Sequence, residues 1–128
     1  MIRLVETTDD NRKLVSSIAP VEVRSAIRRR ERAGEINSDD ADLALNDLSS
    51  EMLRFVEQPV SPTVLELARQ VIDRHFLRAL DAIHLATCLV ARNTLRATDV
   101  CFVASDSELL KAAKIENLPI LNPEIKAP

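Results

Sequence analysis

The chain predicts a helix-rich, three-layer α/β fold on a short parallel sheet. Short apolar runs of strand character alternate with longer segments whose apolar residues recur at helical spacing. The run Val100-Cys101-Phe102-Val103-Ala104 is apolar throughout, as suits an interior strand of a parallel sheet. The chain has 128 residues, 46% of them hydrophobic, which is enough for one core and so for a single domain over residues 1–128.

The first clear helix start is at Pro20, directly after a strand expected near Ser16. Proline suits a first helical turn because its missing N–H costs nothing there. This helix presents Val23, Ala26 and Ile27 and stops near Gly34, a natural residue after a helix end. Ser38 reads as the next N-cap, with Asp39 and Asp40 favourable in the first turn. That helix carries Leu43, Leu48 and Leu53 and gives way to a strand over residues 55–60. Ser61-Pro62 opens a helix bearing Val64, Leu65, Ala68, Val71 and Ile72, and a strongly apolar helix follows around Asp81. After the strand at 100–104, residues 108–113 read as a helix and 118–121 as a last strand.

Composition narrows the function. The net charge of −3 excludes an overall basic nucleic-acid glue, although local patches still act over short range. Three Phe with no Trp or Tyr argue against aromatic base-stacking platforms. A single glycine excludes the Gly-rich phosphate loops. No apolar run reaches membrane-span length and no signal-peptide pattern opens the chain. Cys88 and Cys101 lack metal-site spacing and read as buried free thiols of a reducing cytoplasm.

Three acidic residues stand apart. Asp81 interrupts the run Leu77-Arg78-Ala79-Leu80-Asp81-Ala82-Ile83-His84-Leu85-Ala86-Thr87, where a carboxylate must be desolvated unless a cation sits beside it. An Arg such as Arg78 or a metal ion would serve. Asp106 lies just past the carboxyl end of a strand, where open α/β sheets bind ligands. Glu22 starts the first convincing helix. Carboxylates gathered at one point repel each other unless a divalent cation neutralises them, and hard oxygen donors suit Mg²⁺ or Mn²⁺.

These acids also have bland readings: Asp106 or Ser105 as a helix cap, Glu22 as a first-turn acid. His84, one turn from Asp81, makes either a metal-binding pair with it or a hydrogen-bonded structural histidine. His75 reads as a surface or capping residue. Arg24, Arg28, Arg29, Arg30 and Arg32 form a basic helix end, placed for helix stability or for RNA or antitoxin contact, the phosphate-contact reading resting on Arg24 and Arg28 as near neighbours of Glu22. Asp9 and Asp10 sit in a polar run as solvated loop residues, and Asp47, Asp73 and Asp99 as solvated or capping groups.

The segments Ser17-Ile18-Ala19-Pro20-Val21-Glu22-Val23, Leu77 to Ala86, and Phe102-Val103-Ala104-Ser105-Asp106, in this order, resemble the PIN-domain nucleases, in particular VapC-type toxins of bacterial toxin–antitoxin pairs. The resemblance runs from about residue 14 to Pro123. It implies an endoribonuclease dependent on Mg²⁺ or Mn²⁺, with Glu22, Asp81 and Asp106 at acidic metal-site positions. It also implies RNA as substrate, a VapB-like cognate antitoxin that occupies the active site, a homodimer and a cytoplasmic location. His84 is structural on the same comparison.

The amino terminus departs from that pattern. PIN domains open with a central strand ending in Asp followed by Thr or Ser. Here Met1-Ile2-Arg3-Leu4-Val5-Glu6-Thr7-Thr8 stands too close to Glu22 for the usual strand and helix both to fit. The preferred alignment makes this segment the end of the first helix, so that strand and Asp are missing and the domain is N-terminally truncated relative to the family. The alternative makes residues 2–5 the strand and Glu6-Thr7 the acid–hydroxyl pair. A missing central strand would leave two inner sheet edges open, to be filled by residues 2–5 or by another molecule.

Three functions follow: a metal-dependent ribonuclease toxin; a catalytically impaired PIN-like module that binds an antitoxin or partner; or an unrelated α/β interaction domain in which Asp81 pairs with an Arg.

Overall fold

The structure is a computed structural model that describes residues 3–6, 13–95 and 100–124. Expectations for Ile2, Thr7, Thr8, Asp9, Asp10 and Asp99 fall outside these residues. The elements are β1 (Arg3–Glu6), β2 (Lys13–Ser16), α1 (Ala19–Arg32), α2 (Ser38–Met52), β3 (Phe55–Gln58), α3 (Pro62–Arg74), α4 (Ala79–Leu95), β4 (Val100–Val103), α5 (Ser107–Ile115) and β5 (Ile120–Leu121). The α/β class and its helix-rich character are as the sequence predicts.

The five strands lie in the order β3-β2-β1-β4-β5. β2 pairs parallel with β3, and β4 parallel with β5. β1 stands between these two pairs and runs antiparallel to both β2 and β4. The sheet is therefore mixed, with its parallel pairs on either side of a reversed central strand.

This corrects the expected alignment of the amino terminus. Arg3–Glu6 is a strand, not the end of a helix, and it fills the centre of the sheet. Left unfilled, the facing edges of β2 and β4 would carry unpaired N–H and C=O groups. The reversal has a steric cause: adjacent parallel strands need a crossover of a dozen or more residues, and only residues 7–12 link β1 to β2. The strand of the alternative alignment is borne out, since Arg3–Glu6 lies between β2 and β4, but its reversed direction takes Glu6 to the other edge of the sheet from the one the alternative requires. Leu4 pairs with Phe102 and Glu6 with Val100, so Glu6 stands at the start of β4, away from Asp106.

Local signals set the helices. Pro20 occupies the first turn of α1, and Gly34 follows its C-cap at φ +78°, a conformation glycine adopts without a Cβ penalty. The α2 cap is Asn37, whose side chain accepts from the Asp40 N–H, rather than Ser38 one residue on. Ser61 caps α3 through the Val64 N–H, as predicted. In α2 the buried residues are Ala41 and Leu45, whereas Leu43 and Leu53 face solvent. Steps of five residues rotate by about 140° on a helix, so Leu43, Leu48 and Leu53 never shared one face.

The core gathers around α4 and β4. Leu85, Phe102, Leu109, Val64, Val71 and Val100 are all essentially inaccessible. Each such side chain contributes roughly 1.5–3 kcal/mol by burial. α3 packs along α4, α4 against β2, and α5 against β4, β5 and α4, while α2 packs on α1 and β3. Cys88 is buried and Cys101 half-buried, both free, and burial pushes both thiols up. Among the described residues no helix is long and apolar enough to cross a membrane.

A knot of polar groups ties α3 to the end of α5. The Glu116 carboxylate accepts from Arg74 Nε and Nη2 at 2.9 and 3.0 Å and lies 2.8 Å from His75 Nε2. Its backbone carbonyl accepts from Arg92 of α4 at 3.0 Å. His75, expected as a surface or capping group, is the α3 C-cap and is drawn into this knot because Glu116 offers its ring a charged acceptor.

Candidate active site

β2 and β4 both run opposite to β1, so their carboxyl ends emerge at the same edge of the sheet. β2 leads through Ser17 and Ile18 into α1, which carries Glu22 in its first turn. β4 leads through Ala104 and Ser105 to Asp106, the N-cap of α5. Asp81 lies in the first turn of α4. All three line one cavity of about 320 Å³, together with Arg29, His84, Ser105 and an apolar floor that includes Ala19, Val23 and Leu109. Each acid thus stands at the amino-terminal end of a helix, where the helix dipole favours negative charge.

Each carboxylate is held differently. Asp106 Oδ1 accepts from the Leu109 N–H at 2.9 Å, so the capping reading is realised in the same residue that lines the cavity. Glu22 Oε1 contacts Nε2 of His84, a buried side chain that comes from a different helix. Asp81 forms no ion pair among the described residues, with Arg78 or any other base. Partial burial raises its pKa above the ordinary carboxylate value, and the Asp106 charge adds to the rise. His84 and Arg78 oppose the shift, and Glu22 reinforces it.

Asp81 is less enclosed than its apolar surroundings suggest. Leu80 beside it is 49% exposed, and the helix becomes buried only from Ala82 onward. The first turn of α4 opens on the cavity, so Asp81 keeps partial access to solvent.

Three carboxylates around one cavity, with mutual repulsion registered at Asp81, form a donor set suited in kind to a hard divalent cation. As arranged, the side chains do not converge: among the described residues no three His, Cys, Asp or Glu stand together as a ready-made metal group. Glu22 engages His84, and Asp106 its cap, through one carboxylate oxygen each.

The basic end of α1 divides. Arg28 bridges Glu31 and Asp42 at 2.8 and 3.1 Å, a surface role. Arg29 lines the cavity and contacts Ser25 Oγ at 3.5 Å. The sequence pointed to Arg24 and Arg28 near Glu22, whereas the arginine that lines the cavity is Arg29, and it did not link His84 to Glu22. Helical phase from Glu22 points to Arg29, since it lies seven residues on and so on the same face. Nothing local signals the link from His84 to Glu22.

No curated protein and no solved structure matches the chain. The PIN domain family does match, over residues 2–115, a span that contains Glu22, Asp81 and Asp106. A helix-rich α/β chain with acids at three helix starts on one sheet edge, matched over most of its length, belongs to the PIN domain family.

Proposed function

We propose that the protein is a divalent-metal-dependent endoribonuclease of the VapC toxin type. The observation that carries this reading is the set of three helix-start carboxylates on one cavity, with Asp81 in no ion pair among the described residues and its pKa raised by partial burial first and then by the charges of Asp106 and Glu22. Glu22, Asp81 and Asp106 would hold Mg²⁺ or Mn²⁺. When bound, such a cation supplies charge that activates a water and offsets the charge developing on the scissile phosphate. The chain's own residues do the rest. The three helix N-termini favour an anionic phosphate once the acids are neutralised, Arg29 on the cavity wall attracts the RNA backbone, and Asp81 is placed to accept the proton of the attacking water. On this reading a VapB-like antitoxin covers the cavity, and the protein works in the cytoplasm as a homodimer.

The test is RNA cleavage with Mg²⁺ or Mn²⁺, against EDTA and against Asp81→Asn. Activity that persists in EDTA, or survives the substitution, would defeat the proposal.

A second reading has its own observation. The central strand β1 runs in reverse, so its carboxyl end lies beside the start of β4, at the other sheet edge from the cavity, where the family pattern has an Asp. A catalytically impaired module that binds an antitoxin or partner through this cavity accounts for that. Metal binding without RNA cleavage would favour it. The unrelated interaction domain loses its premise, because among the described residues no Arg pairs with Asp81.

A further inference from the structure

We propose that His84 is a positioning residue that holds the Glu22 carboxylate in place for a divalent cation; this rests on the metal-site reading above. His84 is 4% exposed, sits one helical turn after Asp81 on α4, and reaches across to α1. The other buried polar side chains are satisfied nearby in the chain: Thr87 donates to the Ile83 carbonyl at 2.7 Å, and Ser16 Oγ accepts from the Ile18 N–H at 3.4 Å. His84 alone of the three spends its polar atom on a distant helix, and on a carboxylate that lines the cavity.

Glu22 needs such a partner. Its side chain is long, half-exposed and stands on a first helical turn, so without a tether it samples many rotamers. The imidazole engages one of the two carboxylate oxygens, Oε1, of a residue that lines the cavity. Because His84 and Asp81 share one rigid helix, the same contact fixes the spacing between the carboxylates on α1 and α4. Ligating carboxylates held by a second layer of hydrogen bonds bind metal more tightly than untethered ones.

The test is a double-mutant cycle on Mn²⁺ affinity, read by titration calorimetry on the full chain, with circular dichroism to verify the fold. His84→Leu removes the donor and should weaken Mn²⁺ binding by about 10- to 100-fold. Glu22→Gln should weaken it at least as much. The double variant should bind no more weakly than Glu22→Gln alone, because His84 acts through Glu22. His84→Gln, whose amide nitrogen reaches near the place of Nε2, should recover most of the lost affinity. Should His84→Leu fail to fold, His84→Asn replaces it, since its shorter amide stops short of Glu22. Unchanged affinity in the His84 variants, or losses that multiply in the double variant, would overturn the inference and leave the metal reading standing. A wild-type chain with no affinity for Mn²⁺ overturns both.

Discussion

The molecule treats its carboxylates in two opposite ways. At Glu116, 16% exposed, burial alone would raise the pKa, yet hydrogen bonds from Arg74 and His75, together with their charges, more than offset it and hold the group below its ordinary value. At Asp81, burial and the charges of Asp106 and Glu22 outweigh His84 and Arg78, and the pKa rises. Glu116 has its cations supplied by the chain, and it fastens α3 to the end of α5. The cavity has three acids and no cation paired with Asp81. Charge left uncompensated in a cavity, while it is neutralised elsewhere in the same molecule, is the pattern on which the proposed cation site rests.

The largest expected effect falls on the cavity. Asp81→Asn should lower metal-dependent RNA hydrolysis by at least about 100-fold, the order seen when a group that stabilises transition-state charge is removed. The same substitution relieves repulsion, so thermal melting at neutral pH should occur at the wild-type temperature or above it. Loss of activity accompanied by a lower melting temperature would place Asp81 with Glu116, as a structural group.

Glu116→Ala should behave in the converse manner. It removes charge-assisted bonds to Arg74 and His75, and should destabilise the fold by roughly 1–3 kcal/mol. The lower half of that range is expected because Arg74 is 45% exposed and solvent screens the pair. Urea denaturation measures the loss, and Mn²⁺ affinity should not change. A weakened Mn²⁺ affinity would erase the distinction between the two regions.

How much of this the sequence displayed depends on the range of the forces involved. Asp81 was legible because a lone acid inside an apolar helical run conflicts with its surroundings. Asp106 was legible because it follows an apolar strand run, and Ser61 because capping is a matter of adjacent residues. The partnership of Glu22 with His84 was not, since it spans 62 residues and depends on how α1 meets α4. Glu116 was not noticed at all: an acid at a helix end looks solvated until Arg74 and His75 are brought to it. The direction of β1 is a related case. The sequence favours a helix end there over a strand, and even a strand would leave its direction open, because alternation along a strand is the same in both directions. The short link to β2 held that information, and the sequence reading weighed the link only against the family's longer connection.

Asp106 has a foot in both regions, as cap and as cavity acid, and substitutions there can separate the roles. Asparagine caps helices as well as aspartate does. Asp106→Asn should therefore keep stability while weakening Mn²⁺ binding. Asp106→Ala should lose both, with about 1 kcal/mol of stability gone through the unsatisfied Leu109 N–H. Equal Mn²⁺ affinity in wild type and Asp106→Asn would remove Asp106 from the metal set and leave it as a cap.

The smallest effect, and the most direct contrast of the two regions, is the pH dependence of stability. Glu116 has a folded pKa below its ordinary value of 4.5, so its contribution is complete above that pH and is lost as pH falls through the depressed value. Asp81 has a folded pKa above its ordinary value of 3.8, so ionising it destabilises the fold above the raised value. That penalty disappears as pH falls through the raised value and is gone below 3.8. Urea midpoints between neutral pH and pH 3 should accordingly show two differences that close in opposite senses. The deficit of Glu116→Ala against wild type should shrink only below about 4.5. The advantage of Asp81→Asn should shrink from a higher pH, as the wild-type cavity takes up a proton. An advantage of Asp81→Asn that stays constant across this range would mean that Asp81 feels no such repulsion, and the case for a waiting cation would go with it.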